Sequence, residues 1–277
     1  MLYICIPTHD EAPTIGVLLW RIRKVFQEYA REYEILVYDD ASTDTTREIL
    51  EPYLKALPLT VLGTASRVGY GRASEALLKE VARRTKYPRR DAVIMMQADF
   101  TDRPEHIPDL VKRFEGGADV VVGERALPAD APEGVKQLHK YVSWIPKFWL
   151  LRSAVTVPGA NDPWSSFWLM RITVVRDLLR AAERGTERGT ERAATTADST
   201  WQANLDVLRA AVPHARRIES VPVTPRFDVR PRPSRREARA EAWGLAKAAW
   251  AARGQPLATP LPAAKDSTPS AAQTPAP

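Results

Sequence analysis

Gln97, Asp99 and Asp102 stand directly after an apolar run at 93–96, in the stretch VIMMQADFTDRPEHIPDL. A carboxylate such as Asp99 can ligate a divalent cation. Mg²⁺ is typically held by one or two carboxylates together with substrate phosphates and water. Two further polar groups follow apolar runs in the same way. His9, Asp10 and Glu11 come shortly after LYICI at 2–6, and Asp39 and Asp40 come after EILVY at 34–38, within the segment YDDASTDTT. Taken one loop at a time, residues such as Asp99, Thr101 and Asp102 serve equally well as turn and cap residues. Their shared position after strands is what points to a site.

Those loops need strands behind them. The runs at 2–6, 34–38, 59–62, 92–96 and 119–123 read as buried strands. Between them apolar residues recur at helical spacing, as with Ile15, Leu18, Leu19, Ile22, Val25, Phe26 and Tyr29 in the first helix. Pro13 suits the entry of that helix, Ser42 suits the cap of the second, and Pro104 with Glu105 suits the start of the fourth. Alternating strands and helices with short loops predict an α/β fold, a mostly parallel sheet covered on both faces. Ligands of open α/β sheets bind outside the carboxyl ends of the strands. The exits of the first, second and fourth strands therefore share one crevice.

Beyond Arg125 the pattern loosens. Residues 136–157 carry Tyr141, Trp144, Ile145, Phe148, Trp149, Leu150 and Leu151 among Lys136, Lys140, Lys147 and Arg152. The segment reads either as core with a charged outer face or as an element at a membrane interface, which Trp over basic residues favours. Helices over about 174–182 and 201–211 and a strand over 218–223 follow. The direct repeat ERGTERGTER marks a flexible insert at about 183–200. A C-terminal helix is expected within 236–254. From 255 to 277 the Pro, Ala, Thr and Ser composition predicts a disordered tail.

The 277 residues carry a formal charge of +6, which suggests an anionic partner. Arg226, Arg230, Arg232, Arg235, Arg236 and Arg239 fall close together, but without interleaved aromatics. The carboxylates at the sheet edge would repel a nucleic-acid backbone, so nucleic acid is not the expected partner. Cys5 is the single cysteine, which excludes an intramolecular disulfide and a cysteine-rich metal site. No stretch approaches the roughly 20 apolar residues of a membrane span, and the chain opens on a strand rather than a secretory signal. A cytoplasmic protein, able to lie peripherally on the inner face of a membrane, is expected.

Six pieces in order resemble glycosyltransferase family 2, the inverting transferases of GT-A fold, nearest the polyprenyl (dolichyl) phosphate mannosyl- and glucosyltransferase branch. IPTHDEAPTI resembles the opening motif and YDDASTDTT the nucleotide-binding VDDGSTDGT segment. SRVGYGRA resembles its glycine turn, and QADFTDRPEHIPDL with GADVVVGER resembles the DxD segment and the GSR strand. NDPWSSFWLMR resembles the acceptor-side DxxSGF motif, and VPVTPRFDVRPRPSR the late arginine-bearing segment. Gln97 stands where the first Asp of DxD usually does, Glu124 replaces the small residue of GSR, and Trp164, Ser166 and Trp168 alter the acceptor motif.

The resemblance implies a GT-A domain over 1–235, Rossmann-like, with a nucleotide-sugar-binding half at 1–125 and an acceptor-side half at 126–235. It implies that Pro7, His9, Glu11, Tyr38 and Asp40 cradle base and ribose, with Asp40 accepting from a base N–H. Gln97 and Asp99 would face ribose, diphosphate and metal, with Asp99 the principal ligand of Mg²⁺ or Mn²⁺. Arg125 and Arg230 would pair with diphosphate oxygens, and Asp162 would lie at the acceptor side. The expected reaction is inverting transfer of a sugar from a nucleoside diphosphate sugar to a polyprenyl phosphate. Transfer to a sugar hydroxyl, or a noncatalytic nucleotide-sugar-binding module, are the alternatives.

Overall fold

The alternation of residues along each strand decides the layering. In a computed structural model that describes residues 1–145, 149–187, 200–228 and 238–253, every residue of β1 (Leu2–Thr8) is buried. Tyr3 and Cys5 face one hydrophobic cluster, while Leu2, Ile4 and Ile6 face another. A strand apolar on both faces belongs in the middle of a sheet covered by helices on each side. β1 lies between β2 (Tyr33–Asp39) and β4 (Ala92–Met95), parallel to both. β3 (Leu59–Gly63) continues the sheet beyond β2, also parallel. The helices α1 (Ala12–Glu28), α2 (Thr46–Ala56) and α3 (Tyr70–Arg84) make the crossovers between these strands.

The other half of the sheet is built differently. β5 (Val120–Arg125) is reached through α4 (Ile107–Glu115), yet it does not pair with β4. A four-residue strand, β6 (Trp168–Arg171), runs antiparallel between them, pairing Met95 with Trp168 on one side and Val122 with Trp168 on the other. β7 (Ile218–Val223) closes the far edge parallel to β5. The order is therefore β3-β2-β1-β4-β6-β5-β7. The strand at 168–171 is one that the sequence reading did not anticipate. Its run is too short for periodicity to register, and both its faces are buried.

Around the first cluster pack α5 (Glu133–Val142), α6 (Trp149–Val155), α7 (Ile172–Glu187), α8 (Thr200–Ala211) and α9 (Ala238–Ala251). Residues 126–223 thus supply two strands to the sheet begun by residues 1–125. Residues 188–199 of the expected insert, and the tail from 255, lie outside the described residues.

Each of three strand exits contains one residue other than glycine in the left-handed region: Asp10 (φ 51), Ala41 (φ 54) and Phe100 (φ 62). This conformation costs about 1–2 kcal/mol for a residue with a Cβ, and such strain clusters at functional sites. Ala41→Gly should relieve it, against about 0.5–1 kcal/mol for the freer unfolded chain. A net gain of roughly 0.5–1 kcal/mol in denaturant unfolding is expected; a loss would show that the loop prefers a side chain there.

Candidate active site

The exits of β1 and β2 are tied to each other by their own polar residues. Asp10 Oδ1 accepts from the Thr43 N–H at 2.7 Å and the Thr43 hydroxyl at 3.2 Å. The Asp10 N–H donates to Ser42 Oγ at 3.0 Å, the Glu11 N–H to Thr46 Oγ1 at 2.9 Å, and the Ala12 N–H to Asp44 Oδ2 at 3.2 Å. Ser42 therefore staples two loops instead of capping the second helix. The turn at Ala41 carries the chain on, so that the helix begins after Thr45. Burial pushes the Asp10 carboxyl up, but the Thr43 N–H bond and the His9 charge outweigh it and hold the group below its ordinary value. His9 Nδ1 donates to the Asp40 carbonyl at 2.8 Å.

Asp40, 4% exposed, organises the glycine turn. Its Oδ1 accepts from the Val68 N–H at 2.6 Å and its Oδ2 from the Gly69 N–H at 2.9 Å. Gly69 has φ 89, which a side chain would resist. The family expectation gave Asp40 to a base N–H; in the structure two backbone amides already hold it in place, and it still lines the cleft. Asp40→Ala should leave those amides short of acceptors, costing about 1–3 kcal/mol, and should weaken nucleotide binding accordingly. Unchanged affinity for UDP and GDP by calorimetry, in a variant that folds, would remove Asp40 from the site.

At the exit of β4, Asp99 is 6% exposed and its Oδ1 accepts from the Thr101 N–H at 2.9 Å. Asp102 turns inwards, accepting from the Gln97 N–H at 2.8 Å and from the Ser166 hydroxyl at 3.1 Å. Burial pushes Asp102 up to about 7, opposed by the Gln97 hydrogen bond and reinforced by the neighbouring Asp99 charge. Asp102 thus ties the loop after β4 to the segment entering β6. Among the described residues no group of three or more His, Cys, Asp or Glu side chains is gathered as metal ligands. Asp99, the carboxylate that the exit of β4 brings to the cleft together with Gln97, suits a hard cation that keeps waters and takes phosphate oxygens. It does not make a cage from protein groups alone.

These exits open into one cleft of about 640 Å³, lined by Pro7, His9, Glu11, Asp40, Gln97 and Asp99 among others. Its size is that of a small-ligand site. Tyr38 is not among the lining residues; it is buried, with its hydroxyl 3.5 Å from Thr64 Oγ1. The opposite wall comes from residues that no local pattern singled out: Leu138 of α5, Thr200 and Trp201 of α8, and Glu241 of α9. Asn204 Oδ1 braces this wall by accepting from the Tyr70 hydroxyl at 3.2 Å and from Trp168 Nε1 at 3.0 Å.

Arg125 and Asp162 stand together outside the lining. Arg125 Nε donates to Asp162 Oδ2 at 2.6 Å and Nη2 to Oδ1 at 2.9 Å. The guanidinium lies 4.2 Å over the Trp201 ring, so the pair backs the cleft wall through that tryptophan. Burial pushes Asp162 up, but the Arg125 charge and hydrogen bonds outweigh it and hold the carboxyl below its ordinary value. His139 sits edge-on to Trp201 at 6.1 Å; burial and the Arg125 charge lower its pKa. Arg230 lies outside the described residues.

A sequence model of the family described as Glycosyl transferase family 2 matches residues 3–179. The chain is 29% identical over 175 residues to the dolichol-phosphate mannosyltransferase of Pyrococcus furiosus, a match over 62% of this chain and 46% of that one. It is 30% identical over 131 residues to an undecaprenyl-phosphate 4-deoxy-4-formamido-L-arabinose transferase of Pseudomonas aeruginosa, over 47% of this chain and 37% of that one. The chain thus spans less than half the length of each. Among solved structures, the glucosyl-3-phosphoglycerate synthase of M. tuberculosis superposes with a TM-score of 0.55 at 17% identity, over 92% of this chain and 81% of that one. At that identity the likeness concerns the fold alone.

Proposed function

We propose, from the premise that this chain belongs to glycosyl transferase family 2, that it transfers a sugar from a nucleoside diphosphate sugar to a polyprenyl phosphate, with inversion. Base and ribose would lie against Pro7, His9, Glu11 and Asp40. The diphosphate would point to Gln97 and Asp99. Asp99 would hold Mg²⁺ or Mn²⁺, which when bound supplies positive charge beside the leaving diphosphate. Arg125, outside the lining with Nε and Nη2 engaged by Asp162, would add its charge from behind the cleft wall. Arg230 keeps the diphosphate role that the family resemblance gives it.

The Arg125–Asp162 pair carries the choice of acceptor. A sugar hydroxyl needs a base to take its proton, and a general base works best with a pKa near the operating pH. A carboxylate held ionised by an arginine fork is a poor proton acceptor. A lipid phosphate arrives ionised and needs none. The names of the two relatives, one of dolichol phosphate and one of undecaprenyl phosphate, support the same reading. Glu241 favours a second one: it brings a carboxylate to the cleft wall opposite the strand exits and could serve a hydroxyl acceptor.

A panel of sugar nucleotides tested by thermal shift, with and without Mn²⁺, checks the donor half. One donor should raise the melting temperature, and more so with Mn²⁺. No shift with any donor would overturn the reading. Glu241→Gln separates the acceptors. Transfer to polyprenyl phosphate should survive it, whereas loss of transfer confined to soluble hydroxyl acceptors would favour the second reading.

A further inference from the structure

The helix that supplies Glu241 has two chemically different faces. Glu241, Leu245 and Ala249, spaced four apart, are buried, and Glu241 reaches the cleft. On another face Trp243 is 65% exposed and Trp250 is 51% exposed, with exposed Lys247 between them in sequence. Lys247 Nζ lies 5.8 Å over the Trp243 ring, and the Arg253 guanidinium lies 4.0 Å over the Trp250 ring. Arg239, one turn before Trp243, is exposed as well. Within 238–253 the sole acid is Glu241, and it points inward, so the exposed charges of this helix are all positive. The neighbouring α5, which packs on α9, adds exposed Lys140 and Tyr141, and Trp144 follows it.

Tryptophans backed by lysine and arginine suit the boundary between lipid headgroups and acyl chains. Among the described residues no helix is long and apolar enough to cross a membrane, so the contact such a helix offers is lateral. We propose that the outer face of α9 docks on an anionic bilayer. Trp243 and Trp250 enter the headgroup region, and Arg239, Lys247 and Arg253 meet the lipid phosphates. This rests on the reading that the acceptor is a polyprenyl phosphate, and it gives that reading a geometry. The docked face and the cleft wall are two sides of one helix, whose diameter is about 10 Å. A lipid phosphate at the bilayer surface then has only a short distance to reach the donor.

Flotation of the full chain with vesicles tests this, comparing pure phosphatidylcholine with phosphatidylcholine containing phosphatidylglycerol. Binding to the anionic vesicles is expected, with little to the neutral ones and release by salt. Trp243→Ser with Trp250→Ser, and separately Lys247→Glu with Arg253→Glu, should each lower that binding about tenfold or more. Both should keep wild-type melting and donor affinity, since none of these residues lines the cleft. Wild-type flotation equal on both vesicles, absent from both, or undiminished in the variants would overturn the proposal. So would a salt-resistant dimer, seen by light scattering, that the tryptophan variant abolishes, because the face would then belong to a second copy. Transfer to a short-chain polyprenyl phosphate in solution requires no vesicle. If it proceeds while flotation fails, the docking surface is wrong and the function stands; if flotation succeeds and no transfer occurs, the reverse holds.

Discussion

Asp99→Asn is expected to lower transfer on the order of 10²–10³-fold and to abolish any rise in melting temperature caused by Mn²⁺ with the donor. The substitution keeps the shape, and an amide oxygen can still accept from the Thr101 N–H that Asp99 Oδ1 now accepts at 2.9 Å. The fold should therefore persist. What disappears is the charge at the exit of β4, where Gln97 contributes none. Asp102 cannot replace it, since it turns inwards to accept from Gln97 and Ser166 and does not line the cleft. Full activity in EDTA, or an unchanged Mn²⁺ shift in the variant, would sink the assignment of Asp99.

The second large effect falls on stability. Asp162→Asn leaves the Arg125 guanidinium, with only 9% of its side chain exposed, facing a neutral amide. Breaking a buried pair from one side typically costs about 3–5 kcal/mol. Denaturant unfolding should show a loss of that order, and Arg125→Met with Asp162→Leu should recover much of it, because no buried charge then remains unpaired. The pH dependence has a definite sign. Asp162 has a folded value below its ordinary one, so its contribution is present above the unfolded value and is lost as pH falls through the folded value. In the fraction that stays folded, transfer to polyprenyl phosphate should fall only modestly, with a flat pH profile. A loss of roughly 10²–10⁴ in rate would mark Asp162 as a general base.

Much of the fold was legible because it is local. Apolar runs at 2–6, 34–38, 59–62, 92–96 and 218–223 are strands, and they alternate with helices of clear periodicity. The result is the GT-A arrangement, a mostly parallel sheet flanked by helices. Trp168–Arg171 was not legible: four residues buried on both faces carry no alternation, and their antiparallel place between β4 and β5 depends on partners 46 or more positions away. The strand-exit residues Asp40, Gln97 and Asp99 could be read because topology fixes where exits meet. Trp201 and Glu241 could not, because the packing of α8 and α9 brings them to the cleft from far along the chain. Nor could the sequence disclose that Arg125 and Asp162 take each other as partners, which changes what both can do for a substrate.

The most direct measurement follows the product. The full chain is incubated with Mn²⁺, a sugar nucleotide chosen by thermal shift, and a short-chain polyprenyl phosphate. Mass spectrometry then identifies the product, and NMR assigns its anomeric configuration. The account predicts a glycosyl phosphate ester of the prenol, with the anomeric configuration opposite to that of the donor. A product of retained configuration, or transfer only to hydroxyl acceptors with the prenyl phosphate untouched, would contradict it.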